Sequence, residues 1–121
     1  MVIIDANVIL RYIFNDNEDM ATKAKDIIVE GAMTTVEVVA EVVYVLLKVY
    51  KVTREDINNF IVSVLNEVYI DKKPVVLYAF EVFKITSMDF VDCLLIAYRK
   101  VLGIDIFTFD AKIIKYLDHS I

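Results

Sequence analysis

Short apolar runs separated by long helical stretches are the feature that most constrains the fold of this chain. Residues 2–4 form an uninterrupted apolar run, typical of a buried parallel strand, and the run ends at Asp5. Residues 104–109 predict another strand, which ends at Asp110. Strands that alternate with helices form parallel sheets with helices on both faces. We therefore expect an α/β fold with a central, mainly parallel sheet.

The stretches between these runs carry helix signals. Thr34 or Thr35 can cap a helix that continues to Tyr50, because that apolar run exceeds ordinary strand length. Ser87 is expected to cap the start of a later helix, and Gly103 is expected to end that helix. Short strands are expected at residues 31–33 and 68–70, and the predicted helical stretches are 8–14, 20–30, 36–50, 54–65, 74–83, 88–101 and 111–117.

Length and composition indicate one domain, residues 1–121, because two smaller pieces would lack a stable core. The hydrophobic fraction is 59%, and the surplus suggests a buried interface between copies of the chain. The most apolar stretch contains Glu37, Glu41 and Lys48, so no membrane span is expected. No signal peptide is recognisable, and the single Cys93 agrees with a reducing compartment, so we expect a cytoplasmic protein.

The formal net charge of −5 argues against nucleic-acid binding through basic residues alone. The objection weakens if the acidic residues cluster around bound cations, because the ions invert the local charge.

Two acidic residues stand where strands of a parallel sheet are predicted to end. Ligands collect at the carboxyl ends of such strands, which makes Asp5 and Asp110 candidate site residues. The alternative is that each acid merely caps the following turn. Asn7 is placed to orient Asp5, and Thr108 offers a hydroxyl beside Asp110.

Further acidic residues lie on apolar helical stretches. Glu37 completes a capping box with Thr34, which leaves Glu41 without a structural role and favours it as a functional residue. Asp89 suits a helix start, whereas Asp92 lies among apolar neighbours. If these acids converge with Asp5 and Asp110, they need a cation. Carboxylate oxygens suit Mg²⁺ or Mn²⁺, and such ions support phosphodiester hydrolysis.

Four motifs taken together resemble the PIN-domain family, over nearly the full chain and in the family's order. They are VIIDAN, TTVEVVAEVVYVL, DFVDCLLIAY and FTFDAK. The resemblance is greatest to the short VapC-type toxin nucleases of toxin–antitoxin pairs.

This resemblance implies a Rossmann-like, three-layer PIN fold and an endoribonuclease that depends on Mg²⁺ or Mn²⁺. It also implies an RNA substrate, a small antitoxin partner and a homodimer. The residues that it implies for the catalytic metal site are Asp5, Glu41, Asp92 and Asp110, with Asn7, Asp89 and Thr108 in supporting positions.

Two other functions remain open at this level. The acidic net charge and the apolar surplus would also suit a catalytically silent PIN-like module that binds a protein partner. A receiver-like domain would use clustered acids to bind Mg²⁺ and accept phosphate on one aspartate. Lys112 lies close to Asp110, but the order of the acids fits a receiver poorly.

Overall fold

The computed structural model of the chain describes residues 1–119, without the side chain of His119. The chain divides into two compact units, Met1–Lys73 (unit 1) and Pro74–Ile121 (unit 2). The elements are β1 (Val2–Ile3), α1 (Ala6–Phe14), α2 (Glu18–Gly31), β2 (Ala32–Thr34), α3 (Val36–Tyr44), a π-helical segment (Val45–Val49), α4 (Arg54–Leu65), β3 (Tyr69–Ile70), α5 (Lys73–Ile85), α6 (Phe90–Leu102) and α7 (Ala111–His119). Within residues 1–119, no helix is both long and apolar enough to cross a membrane.

The three strands of unit 1 form one parallel sheet in the order β1-β2-β3. Val2 is paired with Ala32, and Met33 is paired with Tyr69. The Ile4 N–H donates to the Met33 carbonyl oxygen at 2.9 Å, which holds the chain against β2 just beyond β1. The predicted α/β class with a parallel sheet is confirmed, and the strands expected near residues 31–33 and 68–70 lie within one residue of those bounds.

The prediction of a strand at residues 104–109 is wrong. No strand is formed there, and the side chains of Phe107 and Phe109 are 88% and 91% exposed. The prediction relied on apolar β-prone composition. Residues of this kind favour strands because their side chains pack well on a paired, half-buried sheet, and not because their backbone prefers the extended conformation. Without a neighbouring strand, the segment stays irregular.

The expected full burial of the first strand is also wrong. Val2 is 50% exposed and Ile3 is 60% exposed, whereas Ile4 is buried. Among the described residues β1 pairs only with β2, so it is an edge strand of the sheet.

The start of α3 corrects the assignment of its cap. Thr35 is the N-cap, and its Oγ1 accepts a hydrogen bond from the Val38 N–H at 3.2 Å. Thr34 belongs to β2, where its buried hydroxyl donates to the Ile4 carbonyl oxygen at 3.2 Å. The predicted capping box of Thr34 with Glu37 is therefore wrong, because the strand extends one residue further than expected.

Unit 2 is built around aromatic packing between α5 and α6. The ring centroids of Phe80 and Phe90 lie 4.6 Å apart, and Phe83 meets both rings nearly edge-on. The expected cap, Ser87, does not begin α6. Asp89 keeps extended dihedral angles (φ −60°, ψ 151°), so the helix starts at Phe90.

Candidate functional site

Acidic side chains and two helix starts surround an open cavity in unit 2. The cavity has a volume of about 350 Å³. Its lining comprises the N-terminal ends of α6 and α7 and the residues just before α6: Ser87, Met88, Asp89, Asp92, Asp110, Ala111 and Lys112. Helix N-termini present unpaired N–H groups and a positive dipole end, which favour acidic groups and bound anions.

Asp92 is the side chain whose charge is most perturbed in this cavity. Its pKa is raised above the ordinary value, first by burial and then by the negative charges of Asp110 and Asp89, while Lys112 lowers it. The cavity therefore holds more negative charge than its protein groups neutralise. A divalent cation would relieve that imbalance, and the carboxylates supply the oxygen donors that Mg²⁺ and Mn²⁺ prefer.

Asp110 caps a helix, which is the structural alternative to a functional role that the sequence left open. Its Oδ1 accepts hydrogen bonds from the N–H groups of Lys112 (2.9 Å) and Ile113 (3.1 Å), so it caps α7. Thr108 Oγ1 accepts a hydrogen bond from the Asp110 N–H at 3.0 Å. The expected hydroxyl beside Asp110 is thus present, and it restrains the backbone of that residue.

Asp5 lies in unit 1, just after β1, and it caps α1. Its Oδ1 accepts a hydrogen bond from the Val8 N–H at 3.0 Å. Among the described residues, Oδ2 makes no hydrogen bond, so one carboxylate oxygen is available to a ligand. Thr34 fixes the position of this carboxylate indirectly, because its hydroxyl binds the carbonyl oxygen of the preceding residue, Ile4.

Glu41 lies exposed on α3, one turn after Glu37, which is also exposed. Its charge is therefore not buried, so burial gives no reason to assign Glu41 a functional role. Asn7 is exposed in the first turn of α1. The sequence-predicted site residues are thus divided: Asp5, Asn7 and Glu41 belong to unit 1, while Asp89, Asp92, Thr108 and Asp110 belong to unit 2.

Among the described residues, no group of three or more His, Cys, Asp or Glu side chains is placed to hold a metal ion. Mg²⁺ often binds through only one or two carboxylates and keeps several water ligands. Asp92 and Asp110, which line one cavity, are sufficient donors for that mode of binding.

Comparison with known proteins provides the decisive observation. The family model described as PIN domain matches residues 2–118. The chain belongs to the PIN domain family. No curated protein and no solved structure gives a significant match. PIN domains are generally nucleases, which are hydrolases, and they typically use divalent metal ions.

Two residues of this PIN domain influence the candidate site although the sequence pattern did not indicate them as site residues. Lys112 contributes a positive charge to the cavity beside Asp92, whereas its place in the sequence suggests only a receiver-like role. Thr34 was interpreted as a cap rather than as the group that fixes the end of β1. The position of Lys112 two residues after Asp110 is a signal that the sequence contains, whereas the role of Thr34 depends on the register of β2 against β1.

Proposed function

We propose that this PIN domain is a Mg²⁺- or Mn²⁺-dependent endoribonuclease, with Asp5, Glu41, Asp92 and Asp110 as its catalytic metal-binding residues. The observation that supports the proposal most strongly is the cavity of unit 2, where Asp92 carries a raised pKa beside Asp110 and Asp89. The protein does not fully neutralise the acidic side chains at these two helix starts. The cavity therefore suits a divalent cation together with a phosphate.

Different residues of the chain would bind the divalent ion and position the RNA phosphate. Asp92 and Asp110 would hold the divalent ion, which supplies an activated water and charge stabilisation when bound. The ammonium of Lys112 would orient a phosphate oxygen of the RNA, and the open N–H groups at the start of α6 would donate hydrogen bonds to the same anion. Thr108 would keep Asp110 in place through the hydrogen bond to its backbone.

Cleavage of a mixed RNA substrate tests this function. The assay compares Mg²⁺, Mn²⁺ and EDTA with purified wild-type protein and with Asp92→Asn. We expect metal-dependent cleavage that falls by roughly 10²–10³-fold in the variant, the usual scale for losing one charge-stabilising group. Metal-dependent cleavage that persists in both Asp92→Asn and Asp5→Asn would contradict the proposal.

A matched pair of variants tests the assignment of Glu41. Glu41→Gln and Glu37→Gln remove the same charge from two exposed positions of the same helix, one turn apart. We expect cleavage to fall in Glu41→Gln and to be unchanged in Glu37→Gln. Equal activity of the two variants would remove Glu41 from the site.

We further propose that the chain acts in the cytoplasm as the toxin of a toxin–antitoxin pair, with a small antitoxin as its partner. The support is the VapC-like arrangement of the four motifs. Induced expression should arrest bacterial growth, whereas Asp92→Asn expressed to the same level should not. Normal growth at high levels of an RNA-cleaving wild-type protein would argue against the toxin role but not against the nuclease.

A silent protein-binding module is the second candidate. It is favoured by the lack of a three-residue metal-binding group among residues 1–118 and by the exposed phenyl rings of Phe107 and Phe109. Titration calorimetry with Mn²⁺ separates the two functions. The module should bind no Mn²⁺ at millimolar concentration, whereas the nuclease should bind it and lose that binding in Asp92→Asn.

A further inference from the structure

A buried hydroxyl ends β2 next to the chain that leads into Asp5. Thr34 is the last residue of β2 and is only 1% exposed, and its Oγ1 donates a hydrogen bond to the Ile4 carbonyl oxygen at 3.2 Å. That oxygen belongs to the peptide group that joins Ile4 to Asp5. Because a peptide group is planar, a bond to its oxygen restricts the direction in which the chain enters Asp5. The Thr34 hydroxyl therefore controls the backbone from which the Asp5 carboxylate projects.

Further hydrogen bonds complete the placement of Asp5. The Ile4 N–H donates to the Met33 carbonyl oxygen at 2.9 Å, so both polar backbone groups of Ile4 are bonded to β2. Asp5 Oδ1 accepts the Val8 N–H at 3.0 Å, which restricts the rotation of the carboxylate. Its Oδ2, which makes no hydrogen bond among the described residues, is thereby held in one direction. Groups that orient a metal ligand in this way typically affect metal affinity about 10–100-fold.

Thr34 also lies directly before the helix that carries Glu41. The chain leaves β2 at Thr34, and Thr35 is the N-cap of α3, where its Oγ1 accepts the Val38 N–H at 3.2 Å. Glu41 lies in the second turn of this helix. All of these residues belong to unit 1. The hydrogen bond from Thr34 therefore ties the start of α3 to the end of β1 within one compact unit.

We propose that Thr34 is the positioning residue for the metal-binding carboxylates of unit 1. Its hydroxyl holds the backbone before Asp5 and the helix of Glu41 in one fixed arrangement, so that both carboxylates are placed before a divalent ion binds. This role rests on the proposed function, in which both acids bind the metal ion. With a purely structural role, the hydroxyl would only satisfy a buried carbonyl group, and its loss would affect metal binding no more than any equally destabilising change.

Three variants separate these two roles. Thr34→Val keeps the branched shape but removes the hydroxyl, so the Ile4 carbonyl oxygen loses its donor. Thr34→Ser keeps the hydroxyl and removes only a methyl group. Thr53→Ala is the matched control, because it removes another threonine hydroxyl of unit 1, which accepts the Asp56 N–H at 3.2 Å at the start of α4. All measurements are made at a temperature where circular dichroism shows each variant to be fully folded.

Amide hydrogen exchange in EDTA tests the positioning without any metal ion. The N–H groups of Val8 and Val38 report on Asp5 and on the cap of α3, and amides in a first helical turn exchange through local opening. We expect both to exchange roughly 3–10-fold faster in Thr34→Val, the scale of one lost hydrogen bond, and at the wild-type rate in Thr34→Ser and Thr53→Ala. An unchanged rate at either amide in Thr34→Val would overturn the proposal.

Titration calorimetry with Mn²⁺ tests the effect on the metal site. We expect the Kd to rise about tenfold or more in Thr34→Val and to stay within about twofold of wild type in Thr34→Ser and Thr53→Ala. Equal affinities of Thr34→Val and Thr53→Ala would show that the hydroxyl is purely structural and would overturn the proposal. If wild type binds no Mn²⁺, the proposed metal site fails, and the exchange of the two amides still decides whether Thr34 holds the backbone of Asp5 and the helix of Glu41.

Discussion

At the scale of single residues, the candidate site is distinguished by the electrostatics of Asp92. Burial and two neighbouring carboxylates make its ionised form unfavourable, and Lys112 is the cation that opposes them. Asp5 and Asp110 show that one residue can have two roles. Each caps a helix through Oδ1, and capping by one oxygen leaves the other oxygen available to a metal ion. The structural and functional interpretations of these acids are therefore compatible.

Asp92→Asn should stabilise the metal-free protein. Because the pKa of Asp92 is raised, its ionised form lowers the free energy of unfolding at neutral pH. A like-charged pair costs about 0.2–0.5 kcal/mol, so we expect the Tm in EDTA to rise by roughly 1–4 °C. The difference should shrink as the pH falls through the raised pKa, since the wild-type carboxyl is then neutral as well. Circular dichroism melting measures both effects.

The control for this prediction is Asp26→Asn, which removes an exposed acid from the middle of α2, outside the cavity lining. Its Tm should match that of wild type. An Asp92→Asn protein that melts below wild type in EDTA would show that the carboxylate stabilises the fold and would contradict the electrostatic argument.

Lys112→Gln should weaken RNA cleavage. Lys112 lines the cavity with Asp92 and Asp110, where an ammonium can hold a phosphate oxygen. We expect kcat/KM to fall about tenfold, which corresponds to about 1.4 kcal/mol of transition-state stabilisation, with a weaker dependence on salt. Lys115→Gln, on the same helix but outside the cavity lining, is the matched control. Equal losses in the two variants would indicate a general charge effect.

At the scale of elements, the ends of helices position the site. Asp5 caps α1, Thr35 caps α3, and Asp110 caps α7. The N-terminal ends of α6 and α7 line one cavity, because a turn at Gly103 (φ 69°) ends α6 and the chain continues to Asp110. Asp92 lies in the first turn of α6, where the helix dipole offsets only part of the burial and carboxylate repulsion that raise its pKa. Local capping thus fixes the backbone from which the acidic side chains project.

Thr35→Ala tests the cap of α3. The substitution removes the acceptor of the Val38 N–H hydrogen bond, so the free energy of unfolding should fall by about 1 kcal/mol. Urea unfolding measures the loss, and Thr35→Ser, which keeps the hydroxyl, should restore most of it. A neutral Thr35→Ala would mean that Thr35 does not act as the cap in solution.

At the scale of the whole molecule, the chain has one parallel sheet and two compact units. Unit 1 contains the sheet and the first four helices, while unit 2 contains the aromatic cluster of Phe80, Phe83 and Phe90. The family match spans residues 2–118 and thus both units. The single domain predicted from chain length remains a prediction.

Cooperative unfolding tests that prediction. Unit 2 alone is close to the lower size limit of about 40 residues for independent folding, so the units should not be stable separately. We expect one urea transition, with circular dichroism and tyrosine fluorescence giving the same midpoint. Two separated transitions, or a folded fragment of residues 74–121, would show that the chain comprises two domains.

The amino-acid sequence by itself determined the α/β class, the parallel sheet, most helices and the family. These features depend on local periodicity, capping residues and motifs, which act over a few neighbouring positions. It also identified Asp92 and Asp110, which the structure places in one cavity, and Thr108 beside them. The pairing of Asp5 and Glu41 with that cavity was predicted from the order of motifs and stays a prediction.

Only the tertiary structure decided which apolar runs are covered. Composition treats residues 2–4 and 104–109 alike, as buried strands, but burial depends on a partner that no local pattern contains. β1 pairs with one strand, β2, and residues 104–109 form no strand. The same limit applies to the cap of α3, because the sequence alone does not show which of two adjacent threonines, Thr34 or Thr35, begins the helix. The register of β2 against β1 buries the hydroxyl of the first and leaves the second to begin α3.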